Sequence, residues 1–277
     1  MTPANEAHRE EMWCRLRLAA GYFSLTLAGE PTFGWRDRTI GSRANGSNGG
    51  CWLRVSWAHA QWAEGNYWTG NEDGAAIVGV PKPAVVDLYE WAEENGDRNR
   101  AEVLTLVTDK ACSETQELRE ELDLPGQWWP NLRAALETLS THKTERTITT
   151  QKKITGRLLS FFGSTVDPIV TTWTTAHGDA NWTNLTAPSV NILDWESFGT
   201  APAGYDAATL YCLSLLTPDT ARKVHETFSD MLDSPDGIRS QLHVIGRYLK
   251  RVEYGDFGDL ADSLHQHARR LVDKQSR

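Results

Sequence analysis

His177-Gly-Asp-Ala-Asn-Trp-Thr-Asn184 and, shortly after it, Asn191-Ile-Leu-Asp-Trp-Glu196 form the most informative stretch of this chain. Each polar segment follows a short apolar run, 169–176 and 190–193, whose β-branched and aromatic residues predict strands. Two acids and an amide therefore sit in loops at strand ends. Residues of these types suit phosphoryl transfer. That chemistry needs a carboxylate to orient an attacking hydroxyl and accept its proton, and oxygen ligands for a divalent cation that offsets phosphate charge. The five-residue step from Asp179 to Asn184 lets one loop turn back and present both side chains to the same phosphate.

Outward from this stretch, the second part of the chain reads as helical. Spans 129–140, 149–162, 218–232, 237–252 and 260–272 carry apolar residues three and four apart. The first hundred residues read differently. An amphipathic helix over 5–25 precedes strand-like runs at 35–43 and 51–57, and Asn45-Gly-Ser-Asn-Gly-Gly50 between them predicts a hairpin connection. A short helix is expected at 71–78, Val80-Pro-Lys-Pro83 breaks the chain, and strands are expected at 84–91 and 101–108. A small β-rich lobe, 1–108, followed by a larger mainly helical lobe, 109–277, is an α+β arrangement, and a cleft between lobes is the usual place for a ligand.

With 277 residues, 40% of them hydrophobic, the chain is long enough for a sizeable core. A net charge of −9 without any Lys/Arg cluster argues against a nucleic-acid partner. Mean hydropathy of −0.48, short apolar stretches and acids near the N-terminus predict no membrane span and a cytoplasmic location. Cys14, Cys51, Cys112 and Cys212 lie far apart and read as buried free thiols. The twelve tryptophans read as packing residues. No Gly-x-Ser-x-Gly elbow or His-Glu-x-x-His site occurs, and His265 and His267, two apart on a helix, point to different faces.

The pattern His-Gly-Asp, four residues, Asn, then an apolar strand ending in Asp-Trp-Glu resembles the catalytic and metal-binding loops of the aminoglycoside phosphotransferase and choline kinase family, relatives of the protein kinases. The run Pro202-Ala-Gly-Tyr-Asp206, opening an apolar helix, resembles that family too. By this resemblance the fold is bilobal and protein-kinase-like, Asp179 is the catalytic base, Asn184 and Asp194 hold Mg²⁺, Asp206 buttresses the catalytic loop, and His177 packs and hydrogen-bonds within it. The same resemblance implies Mg²⁺ as cofactor and ATP or GTP as phosphate donor.

The N-terminal match is partial. Where kinases carry a lysine on the third strand, Cys51-Trp-Leu-Arg-Val-Ser56 places Arg54, with Glu72 as its expected partner. No G-x-G-x-x-G is present, and Gly29-Glu-Pro-Thr-Phe-Gly34 is the candidate for a shortened phosphate loop. Glu196, Asp219, Asp230 and Asp233 are either amine-attracting residues or solvated surface charge. The acceptor is expected to be a hydroxyl of an aminoglycoside, amino sugar or amino alcohol. Two alternatives stay open: modification of Ser/Thr in a precursor peptide, and a binding scaffold with little activity. The sequence does not specify oligomeric state.

Overall fold

The computed structural model describes residues 3–275. They divide into two compact units, one comprising the residues up to Ala76 with Pro83–Thr108, the other Ile77–Lys82 with the residues from Asp109 on. The fold is α+β, a sheet-rich first part and a helical second part.

The first unit starts with α1 (Pro3–Tyr22) and continues through β1 (Thr26–Leu27), β2 (Thr32–Phe33), β3 (Thr39–Gly46), β4 (Gly49–Ala58), α2 (Asn66–Asp73), β5 (Val85–Ala92) and β6 (Arg98–Thr105). All sheet pairings are antiparallel, in the order β1-β3-β4-β6-β5, with β2 also pairing β3. The expected hairpin is present, and its strands run further into the glycine segment than expected, leaving Ser47-Asn48 as a two-residue turn. Alternation along each strand sorts the side chains. Leu53, Val55 and Ala101 are fully buried in one cluster with Met12, Leu16 and Ala19 of α1. Burial of each large apolar side chain of this kind contributes ~1.5–3 kcal/mol.

The alternate residues of the same strands carry charge. Arg54 stands opposite Glu102 in the β4/β6 ladder and Glu90 opposite Arg100 in the β5/β6 ladder. Glu102, 1% exposed, accepts from Arg54 Nη1 at 3.3 Å, Arg100 Nε at 3.1 Å and Asn71 Nδ2 of α2 at 2.7 Å. Arg100 also donates to Glu90 at 2.5 Å and to Glu72 of α2 at 2.8 Å. Burial opposes the Arg100 charge, but Glu72, Glu102 and Glu90 together raise its pKa.

The segment expected to serve as a phosphate loop is divided. Gly29 to Pro31 form an interruption between β1 and β2, and the turn into β3 is 34–38, where Arg36 and Asp37 take positive φ (54° each). Arg9 of α1 donates twice to the Asp37 carboxylate, both at 2.9 Å, and pins this turn.

The second unit contains β7 (Lys110–Ala111), α3 (Trp128–Thr141), α4 (Gln151–Phe162), β8 (Trp173–Ala176), β9 (Thr186–Ala187), β10 (Gly199–Pro202), α5 (Tyr205–Leu213), α6 (Pro218–Leu232), α7 (Pro235–Val252) and α8 (Ala261–Gln275). Helix starts follow sequence rules: Ser234 accepts from Gly237 N at 3.0 Å as N-cap, with Pro235 at the first turn. Residues 77–82, read from sequence as part of the first lobe, cluster here, and Ile192 N donates to Pro81 O at 2.9 Å. The expected strand at 190–193 is reduced to a single bridge, Leu185 to Ile192. The partner of β8 is instead β10, antiparallel from Gly199 against Ala176 to Pro202 against Trp173. Val190 and Ile192 are apolar because they join the core, not because they form a ladder.

No cysteine forms a disulfide, and only Cys212 is buried; Cys14, expected buried, is exposed. His265 is exposed while His267 is buried, bonded to Gln241 Oε1 at 2.9 Å. Among the described residues no helix is long and apolar enough to cross a membrane.

Glu102→Ala leaves Arg54 and Arg100 without their shared counter-charge, so a loss of about 3–5 kcal/mol is expected. Glu72→Ala, at a side chain 57% exposed, is expected to cost under ~1 kcal/mol. Urea denaturation followed by tryptophan fluorescence checks both, and equal costs would refute the ranking.

Candidate active site

The approach to the site is fixed before its residues begin. Asp236, in the first turn of α7, accepts from Thr171 N at 3.0 Å and Thr172 N at 2.7 Å, setting the chain that enters β8. At the end of β8 the backbone turns through His177 and Gly178. Gly178 has φ +84°, and a Cβ there would lie 2.7 Å from Ser197 O, so only glycine fits.

Asp206, in the first turn of α5, holds this turn from behind. Its Oδ2 accepts from His177 N at 2.7 Å and its Oδ1 from Gly178 N at 2.9 Å. Burial pushes its carboxyl up, while His177 and the two amide N–H groups favour the charged form. The His177 ring is fully buried, edge-on to Trp195 with centroids 5.0 Å apart. Burial pushes its pKa down, and neither ring nitrogen makes a hydrogen bond. His177 thus packs as expected and bonds Asp206 through its backbone N–H, while the Leu193 and Asp179 backbone near its ring favours the charged form against burial.

Beyond the turn, Asp179 is held on several sides. Oδ1 accepts from Arg247 Nη2 at 3.1 Å, and Oδ2 from Asn181 Nδ2 at 3.0 Å and Asn184 Nδ2 at 3.4 Å. Asn184 Nδ2 also donates to Asp179 O at 2.9 Å. With its amide nitrogen engaged in this way, the planar Asn184 side chain turns Oδ1 away from the Asp179 carbonyl. Trp182, between them in sequence, is fully buried, donates to Ser214 Oγ at 3.1 Å and stacks on Trp128, which roots the loop in the helical core.

The second loop is stitched to the first. Leu193 N donates to Asn184 O at 2.8 Å, and the Leu185–Ile192 bridge lies beside it. Asp194 therefore follows directly on a residue bonded to Asn184. It takes φ +61° and opens a short turn over Trp195–Ser197. Its Oδ1 is buried and accepts no hydrogen bond. Arg146 braces the loop from outside, donating to Phe198 O at 3.0 Å and Glu196 O at 2.8 Å.

The structure brings Asp179, Asn184, Asp194, His177 and Asp206 into one connected loop system. Arg54 and Glu72 belong to the other unit and do not pair: Arg54 faces Glu102 across the ladder and Glu72 bonds Arg100. A directly opposed strand residue takes the place expected for the helix glutamate. Sequence reasoning missed Asn181, Arg247 and Lys82. Asn181 stands two residues from Asp179. Arg247 comes from a helix far along the chain, and no local pattern marks it. Lys82 lies 5.7 Å from the centre of the Trp195 ring, and burial lowers its pKa.

Of the acids considered for binding an amine, Asp230 bonds Arg133, Asp233 bonds Lys274 and Asp219 bonds Arg222. Their charge is met within the protein. Among the described residues no three His, Cys, Asp or Glu side chains converge as a metal cluster. The donors present, an amide oxygen and carboxylates, are hard oxygen ligands of the kind a magnesium ion takes in small number beside substrate phosphates.

No family model and no curated protein matches the sequence. Solved structures do match. Aminoglycoside phosphotransferase APH(4)-Ia superposes with a TM-score of 0.62 over 94% of this chain and 98% of its own, at 12% identity. The amicoumacin kinase hAmiN matches at 0.60 over 99% and 96%, at 12% identity. The chain has the aminoglycoside phosphotransferase fold. Spectinomycin phosphotransferase APH(9)-Ia shares it at a TM-score of 0.53 over 95% and 93%, at 10% identity. Identity this low shows that the aminoglycoside phosphotransferase fold persists although most of its side chains differ.

Asp206→Ala removes the acceptor for two buried N–H groups, each costing about 1–3 kcal/mol when left unsatisfied. A clear fall in the thermal midpoint is expected, and an unchanged midpoint would show that the turn at 177–178 stands without this support.

Proposed function

We propose that this protein transfers the γ-phosphate of ATP, or of GTP, to a hydroxyl of a small polar acceptor. The observation that carries the reading is the placement of Asp179: a carboxylate fixed by Arg247, Asn181 and Asn184, on a loop stitched to the one that presents Asp194. Asp179 orients the acceptor hydroxyl and takes its proton as phosphoryl transfer proceeds. Asn184 Oδ1 and Asp194 are the ligands that would hold a divalent cation. Bound there, Mg²⁺ supplies the charge that offsets the transferring phosphate. Asn181 keeps Asp179 Oδ2 in place, and Asp206 fixes the turn that carries it. The Asp179 carboxylate is held by hydrogen bonds from within the protein, which is what positioning a near-attack geometry requires.

The fold neighbours support the reading at a general level. A thermostable mutant of APH(4)-Ia has been crystallised with AMP-PNP and hygromycin B, and hAmiN with AMP-PNP, Ca²⁺ and Ami. By that analogy the β-rich unit serves the nucleotide, and the helical unit, with residues 77–82, the chemistry and the acceptor. Arg54 remains the candidate phosphate ligand of the first unit.

A second reading, a kinase-fold scaffold with little activity, is favoured by one observation. Arg54 Nη1 is engaged by Ser56 Oγ at 2.8 Å and by Glu102, so the expected phosphate ligand is tied into the sheet's own charges. The two readings separate by thermal shift. A ligand that binds only the folded chain raises its midpoint. Mg²⁺-ATP or Mg²⁺-GTP at millimolar concentration is expected to do so, and no shift with either favours the scaffold.

Asp179→Ala is expected to lower turnover at least about 100-fold, the scale of a lost general base, while sparing nucleotide binding. Asp194→Ala is expected to weaken Mg²⁺-dependent nucleotide binding as well. Steady-state kinetics with calorimetry checks both, and parental turnover in Asp179→Ala would remove that residue from the mechanism.

A further inference from the structure

Beside Asp179 the helical unit collects more positive charge than that one carboxylate answers. α4 carries Lys153 and Arg157 one turn apart, and α7 carries His243, Gly246 and Arg247 on the face that packs against α4. Gly246 makes the packing possible: a Cβ there would lie 2.8 Å from Arg157 Cγ, so the arginine stem runs directly over the helix backbone. Arg157 Nη1 donates to His243 Nε2 at 3.0 Å. His243 is 2% exposed, and burial, then Arg157, Arg247 and Lys153, push its pKa down to about 3. The imidazole is therefore neutral; it aims the guanidinium without cancelling its charge.

Arg247 links this cluster to the reacting residue. Its Nη1 donates to Gly178 O and to Tyr205 Oη, each at 3.2 Å, and its Nη2 to Asp179 Oδ1. Burial opposes the Arg247 charge, yet Tyr205, Tyr248 and Asp179 hold its pKa above the ordinary guanidinium value. Burial lowers the Arg157 pKa, Tyr205 opposes this, and nearby Arg247 lowers it further. Among the described residues neither Arg157 nor Lys153 makes an ion pair. The acid close to Arg247 is Asp179, its ion-pair partner at 3.1 Å. Half-buried guanidinium groups in this number are unfavourable unless an anion is brought to them. Two forked donors on facing helices suit a carboxylate or phosphate group.

We propose that the acceptor is a small hydroxyl compound bearing an oxyanion, a carboxylate or a phosphate, which Arg157 and Arg247 bind so that its hydroxyl lies against Asp179. This rests on the phosphotransferase reading for what happens to the hydroxyl, while the anion site rests on the cluster alone. It reverses the expectation of an amine-bearing acceptor, which the same arginines would repel.

The test uses the full chain and probes matched in framework: gluconate, glucose 1-phosphate, glucose and glucosamine, with sulfate as a generic oxyanion. Nucleoside diphosphate release with Mg²⁺-ATP gives kcat/KM for each, and calorimetry without nucleotide gives binding. At least about tenfold preference for an anionic probe over glucose and glucosamine is expected. Arg157→Gln should raise the KM, or the Kd, for that probe about tenfold without changing KM for Mg²⁺-ATP, and Arg157→Lys should recover part of the loss. Preference between gluconate and glucose 1-phosphate tells which oxyanion is taken. Preference for glucosamine, an Arg157→Gln effect on nucleotide KM alone, or no binding of sulfate or of either anion would overturn the proposal. Anion binding that depends on Arg157 in a chain showing no nucleotide turnover would sustain the anion site and fail only the phosphotransferase reading.

Discussion

The loop system around Asp179 depends on one carboxylate set behind it. Asp206 receives the backbone N–H groups of His177 and Gly178, and those two bonds determine where the chain goes as it leaves β8. A turn through positive φ has few ways of satisfying its amides, and an acid at the start of a buried helix is one of them. Once the turn is held, Asp179 projects from it at a set angle, Asn181 and Asn184 fold back on its carboxylate, and Leu193 joins the second loop to the first. Remove the support and each later contact loses its reference.

Around that constraint the helical unit is organised as a rigid mount. Trp182 anchors the first loop between α3 and α5, Trp195 meets the His177 ring edge-on and donates to Ile192 O at 2.8 Å, and Arg146 ties the far side of the second loop. The buried aromatic and polar contacts act together: each fixes backbone that carries a functional side chain, in the way a functional loop on a packed scaffold is usually held. The first unit follows a different logic. Its sheet divides cleanly into an apolar face under α1 and a charged face where Arg54, Glu102, Arg100 and Glu90 neutralise one another.

How much of this could be read from sequence depends on distance along the chain. The Asp179, Asn184 and Asp194 grouping was legible because its members are close in sequence and their spacing reflects the path of two loops. The antiparallel hairpin was legible from its glycines and asparagines. Arg247 and Arg157 were not, because nothing local distinguishes an arginine on α7 that meets Asp179 from Arg239, Lys250 and Arg251 on the same helix. The kinase resemblance matches Arg54 to a helix glutamate, whereas the ladder, whose register cannot be read one segment at a time, places Glu102 opposite it. Residues 190–193 looked like a strand because burial alone selects the same apolar residues as a ladder does.

Residues 77–82 carry a consequence for how the chain can be divided. Their backbone leaves the sheet unit, supplies the Pro81 carbonyl to Ile192 N and places Lys82 over Trp195, and then returns to begin β5. The helical unit is thus discontinuous in sequence. A fragment cut at the single junction after Thr108 would lack six residues that cap the strip of backbone leading to Asp194, so the helical unit cannot be excised at one point.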